Sequence, residues 1–184
     1  HALLTAEAAA SHGSYTGLKE ACRIYEGLSA RPAVGKKVAA DYFRAALLLG
    51  LREKELGIKS SGALQLADRL AGENPSLSGF RLWPSAAAEI PLRIKGVVGD
   101  DIPWLDRTIS EEDLERLRAD LSARAPTDEL AAYFRLALSC PGYPDQDTVK
   151  TRAALRAAHP QSILINYRTA FCPELVAERF EGVI

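Results

Sequence analysis

LSARPAVGKKVAADYFRAALL, residues 28–48, decides the reading of the fold, because the chain says it again as LSARAPTDELAAYFRLALS at residues 121–139. Leu28-Ser29-Ala30-Arg31 recurs as Leu121-Ser122-Ala123-Arg124, followed in each copy by a prolyl loop at Pro32 and at Pro126. Tyr42-Phe43-Arg44 then recurs as Tyr133-Phe134-Arg135, with Ala46 and Leu47 matched by Ala137 and Leu138. The spacing shifts across the loop, where insertions are easiest to accommodate. An echo of this kind marks a chain built by repetition of one supersecondary unit.

Outward from that stretch, apolar residues fall at helical spacing on both sides. Ala2 to Ser11 reads as a helix stopped by His12-Gly13. The next helix carries an apolar stripe of Leu18, Ala21, Ile24, Tyr25 and Leu28 and ends before Pro32. The helix from about Lys37 to Leu56 is apolar on nearly every side between Ala39 and Gly50, where only Asp41 and Arg44 interrupt, so it needs neighbours on more than one flank. A turn at Lys59-Ser60-Ser61-Gly62 leads to a helix through Leu64, Ala67, Leu70 and Ala71 that closes at Gly72 and Pro75. Pro84 and Pro91 leave a short helix around Ser85 to Glu89 and an RIKGVV tail that is not assigned.

The segment from Gly99 to Thr108 is rich in turn formers and joins the halves. Ser110 followed by Glu111, Glu112 and Asp113 predicts a capped helix start, with Leu114, Leu117 and Leu121 on one face behind it. Thr127 is the expected cap of the second Tyr-Phe-Arg helix, which stops at Cys140-Pro141-Gly142. After a loop over residues 144–147, a helix runs from Val149 to His159 with Val149, Ala153, Leu155 and Ala157 as its apolar set. SILINYRTAF from Ser162 has strand-like composition, but its place after the helix-ending Pro160 favours a helix. A last short helix spans Pro173 to Phe180. The expectation is an all-α chain of stacked antiparallel helix hairpins, internally duplicated, with modules at 1–98 and 99–184 forming one continuous array.

Helix pairs with a small residue and an aromatic in the second helix, ending in proline, resemble tetratricopeptide repeats. Ala21, Tyr25, Leu28 and Pro32 carry the likeness in the first half, Ala63, Ala67, Leu70 and Pro75 in the next pair, and Ala154, Ala157 and Pro160 near the end. The Trp-Leu-Gly-Tyr signature of a first helix is absent, and the loops are longer than that family's turns. The stretch from Ala131 to Pro160 is also similar to the degenerate repeats of bacterial extracytoplasmic lipoproteins. The resemblance implies a short right-handed superhelix, a tetratricopeptide-like solenoid, acting as a binding scaffold. It implies a periplasmic location, with a lipid anchor upstream; a cytoplasmic location is the alternative.

The composition narrows the function. A net charge of -1 over 184 residues supplies no global field toward nucleic acid or anionic membrane, and no apolar run reaches the roughly 20 residues of a membrane span. The chain opens on His1, as a chain does once a tag or signal has been removed. Cys22, Cys140 and Cys172 are too few for a disulfide scaffold. Cys22 lies on a core-facing helix, Cys140 at a helix end where the dipole opposes a thiolate, and Cys172 at a helix start without a tied histidine. His1, His12 and His159 have no metal-site spacing, and Asp145 and Asp147 lack the glycine and glutamate of a calcium loop. No catalytic set, metal or cofactor is expected.

Arg44 and Arg135 stand out as one charge repeated in two apolar helices. Either each guanidinium is a packing device, or both line a groove and bind a carboxylate or a peptide backbone, flanked by Tyr42 and Tyr133. The groove reading makes Tyr42, Arg44, Tyr133 and Arg135 the partner-binding residues. It predicts a non-catalytic scaffold for a protein or peptide partner. The alternative is a small-ligand-binding accessory subunit of an envelope transport or assembly system, with its pocket at Trp83, Trp104 and the proline-broken segment.

Overall fold

The computed structural model describes residues 1–11, 13–87, 110–125, 127–139, 146–162 and 165–166. These residues are helical or in turns, with no strand among them. They fall into two compact units, one drawn from His1–Pro91 and Asp106–Leu114 and the other from Leu92–Leu105 and Glu115–Ile184.

In the first unit, α1 (Ala2–Ser11), α2 (Tyr15–Ser29), α3 (Pro32–Leu56) and α4 (Ala63–Glu73) follow one another, and a 3-10 segment, Pro75–Phe80, comes after them. Helix α1 packs on α2, α2 on α3, and α3 on α4. Helix α3 is therefore the inner element, as its all-round apolar sequence requires: every residue from 45 to 53 is buried. On α2 the buried set is Leu18, Ala21, Cys22, Tyr25 and Leu28, with Ile24 half-buried at the edge of the stripe. The expected prolyl loop is instead a two-residue joint, Ala30-Arg31, with Pro32 as the first residue of α3. Proline suits that position because the first helical N–H has no intrahelical partner to lose.

Helix ends are closed locally. Ser14 caps α2, its Oγ accepting from the Gly17 N–H at 3.2 Å. Helix α3 ends at Gly57, whose φ of 65° is the left-handed conformation that glycine adopts without strain. Gly57 N donates to the Lys54 carbonyl and Ile58 N to the Glu53 carbonyl, the paired pattern of a Schellman ending. Past α4, Phe80 stacks between Phe43 of α3 (5.4 Å) and the fully buried Trp83 (5.1 Å), holding the 3-10 segment and helical residues 83–87 to the core.

Helix α5 (Glu111–Ala123) starts in the first unit and runs into the second, which adds α6 (Glu129–Ser139) and α7 (Gln146–Ala158). Ser110 Oγ accepts from Asp113 N at 3.1 Å, the expected cap, and Leu114, Leu117 and Leu121 are buried. The cap of α6 is Asp128 rather than Thr127: its Oδ1 accepts from Ala131 N at 3.1 Å and its carbonyl from Ala132 N. Helix α6 packs against α7. Helix α7 begins at Gln146, inside the expected loop, and from Val149 onward its buried positions are Arg152 and Leu155 while Ala157 is exposed. Ser162 Oγ accepts from Ile165 N, and residues 165–166 are helical. His12, residues 93–109 with Trp104, the stop at Cys140 to Gly142, Cys172 and the expected final helix lie outside the described residues.

Candidate functional site

Because α2 and α4 both lie on α3, they stand as two walls with α3 beneath. Between them is a cleft of about 450 Å³. Lys19, Cys22, Arg23 and Glu26 line the α2 wall at the three- and four-residue spacing of one helix face. Tyr42 and Leu49 of α3 form the floor, and Ser61 to Ala63 with Gln65, Leu66 and Arg69 form the other wall. Three cations and one acid thus face one space. Lys19, Arg23, Glu26, Gln65 and Arg69 are exposed, so the cleft has a wet, charged rim over a buried aromatic floor.

Burial raises the acid groups on the α2 wall and beneath the cleft. Burial, reinforced by Glu53 and Glu26, pushes the Cys22 thiol up to about 12. A thiol held protonated in this way is a poor nucleophile. Burial also raises the Tyr25 phenol to about 12, with Asp41, Glu7 and Cys22 adding to the effect and Arg44 opposing it. The Tyr42 hydroxyl is raised by burial, then by Glu26 and Cys22, against the pull of Arg69. Tyr25 and Tyr42 stack at 6.1 Å, fixing the ring that floors the cleft. On the rim, Arg23 donates Nε and Nη2 to the Glu20 carboxylate, at 2.9 and 2.7 Å, in an exposed pair.

Two buried charged residues hold the walls in place. Arg52, 5% exposed on α3, donates Nε to the Gly13 carbonyl at 3.0 Å and so ties down the α1–α2 turn. Glu53, 2% exposed, accepts from the Ser61 N–H at 3.1 Å and fixes the loop that starts α4. Its other oxygen has no hydrogen-bond partner among the described residues. Neither Arg52 nor Glu53 stands out from its neighbours in the sequence as a functional residue. The available signal was their position: two charges adjacent in a helix apolar on all sides have to meet partners inside the fold.

Of the four residues expected to bind a partner, Tyr42 lines this cleft. Arg44 is exposed on α3 and is not among the lining residues. Tyr133 is fully buried, at 6.0 Å and edge-on to Phe134. Arg135 is half-buried: its Nε donates to the Leu121 carbonyl at 2.9 Å and its Nη2 to the carbonyls of Leu121 and Arg124. Its guanidinium thus adds donors to backbone carbonyls at the end of α5, where the Leu121 carbonyl also accepts from Arg124 N. The two arginines thus stand in different settings. The two aromatic pairs do share one, since Tyr42 and Phe43 are buried like Tyr133 and Phe134. Trp83 lies in the aromatic core, and most of the ligand pocket expected around it and Trp104 lies outside the described residues.

Among the described residues, no group of three or more His, Cys, Asp or Glu side chains could hold a metal ion, and no helix is long and apolar enough to cross a membrane. Comparison of the chain with protein-family models, with curated proteins and with solved structures found no match.

Proposed function

We propose that this chain is a non-catalytic helical-repeat module that holds a stretch of a protein or peptide partner in the cleft between α2 and α4. The observation that supports this reading is the cleft itself, with charged, exposed walls over a buried floor of Tyr42 and Leu49. Helical walls over an aromatic floor suit a polypeptide, whose backbone seeks polar rims and whose side chains seek apolar surface. The groove assigned in this way differs in place from the one the tetratricopeptide likeness implies. It uses α2 and α4, the second helices of that register, with α3 as floor. The internally duplicated, right-handed superhelix and the periplasmic, lipid-anchored location implied by the lipoprotein likeness belong to the same proposal.

The test is selection of random peptides on the full chain, followed by counter-selection on a Gln65→Trp variant. Gln65 is exposed on the cleft wall, so an indole there obstructs the cleft without entering the core. Binders lost on the variant support the reading. Binders that ignore the substitution, or no binders at all, contradict it.

A further inference from the structure

We infer that the cleft selects an extended acidic segment, with Asp or Glu at two alternate positions; this rests on reading the cleft as a peptide groove. Lys19 and Arg23 lie four residues apart on the α2 wall. At 1.5 Å rise per residue they are about 6 Å apart along the helix. Same-side side chains of an extended chain recur about every 6.6 Å. Acids separated by one residue therefore meet Lys19 and Arg23 in register. Arg69 faces them from the α4 wall, with Gln65 one turn away to hydrogen-bond the peptide backbone.

Glu26 is the single acid among the lining residues, and it gives the groove a direction. It lies seven residues beyond Lys19, about 10 Å along α2, next to the third alternate position of a bound segment. A carboxylate there is repelled and a lysine is welcome. The pattern selected is acid, any residue, acid, any residue, then a neutral or basic residue. The existing Arg23–Glu20 pair does not block this, since both partners are exposed and such pairs contribute little. An incoming carboxylate exchanges with Glu20 or shares the guanidinium.

The experiment titrates the full chain with a capped, fluorescein-labelled heptapeptide carrying Asp at its second and fourth positions and Lys at its sixth. Asn and Lys replacements of the two aspartates serve as comparison peptides. The Asp peptide is expected to bind about 2- to 30-fold more tightly than the Asn peptide at low salt, from two exposed ion pairs. The preference should shrink as salt rises and invert toward the Lys peptide in a Lys19→Glu, Arg69→Glu double variant. Both residues are exposed, so the variant keeps its core. Equal binding of Asp and Asn peptides, abolished in both by Gln65→Trp, overturns the charge selection and leaves the groove standing. Binding by none of the three peptides overturns it as well, and if the random selection also yields no cleft-dependent binder, the groove reading falls with it.

Discussion

Arg135 reaches back across a loop to the carbonyls of Leu121 and Arg124, and removing it takes charged donors from two part-buried acceptors, of which the Leu121 carbonyl keeps the Arg124 N–H. Arg135→Gln should therefore lower stability by about 1–3 kcal/mol, read from urea unfolding. Arg44→Gln, at an exposed position, should stay within about 0.5 kcal/mol. Equal losses at both sites would restore the two arginines to one role. A second residue-scale prediction concerns pH. Cys22 and Tyr25 are acids whose folded values lie above their ordinary 9.0 and 10.0. The unfolded chain therefore releases their protons first, and the stability they contribute is full below pH 9 and lost as pH rises toward 12. Each group should remove up to about 1.4 kcal/mol per pH unit within its own window. Cys22→Ala should delay the onset of that decline from near pH 9 to near pH 10. An unchanged alkaline profile in the variant would show that the thiol is not protected.

Helix α3 meets α4 closely at Gly50. A Cβ on Gly50 would lie 2.5 Å from the Leu64 side chain and 3.1 Å from its backbone nitrogen. Gly50→Ala is thus expected to destabilise by about 1–3 kcal/mol through overpacking. Gly27→Ala on α2, with nothing within 4 Å of the new methyl, should instead stabilise by about 0.5–1 kcal/mol. Thermal unfolding of the two variants should move in opposite directions, and a shift in the same direction would mean that the α3–α4 approach is looser than described. Much of this scale was legible beforehand. Apolar spacing located α1, α2 and α4 closely, and the run from Ala39 to Gly50 announced an inner helix. Pro32 misled because proline stops one helix and starts another equally well, and only packing decides which. Asp128 displaced Thr127 for a similar reason: two capping residues stood side by side, and the loop geometry chose between them.

The repeated motif shaped expectation for the whole molecule, and the structure keeps part of it. Burial of the aromatic pair is a local property, dictated by apolar neighbours, so it could be read in both copies. The role of each arginine depends on which backbone carbonyls lie within reach, and that is a tertiary fact that no spacing encodes. The cleft was hidden for the same reason: Lys19, Arg23 and Arg69 look like ordinary solvated helix faces until α2 and α4 are laid on α3. What the molecule does is then a question of whether those two walls close on a polypeptide. Hydrogen exchange on the full chain with and without a selected peptide answers it most directly. The account predicts slowed exchange concentrated in residues 19–26 and 61–69, and protection confined to α6 and α7, or found nowhere, would contradict it.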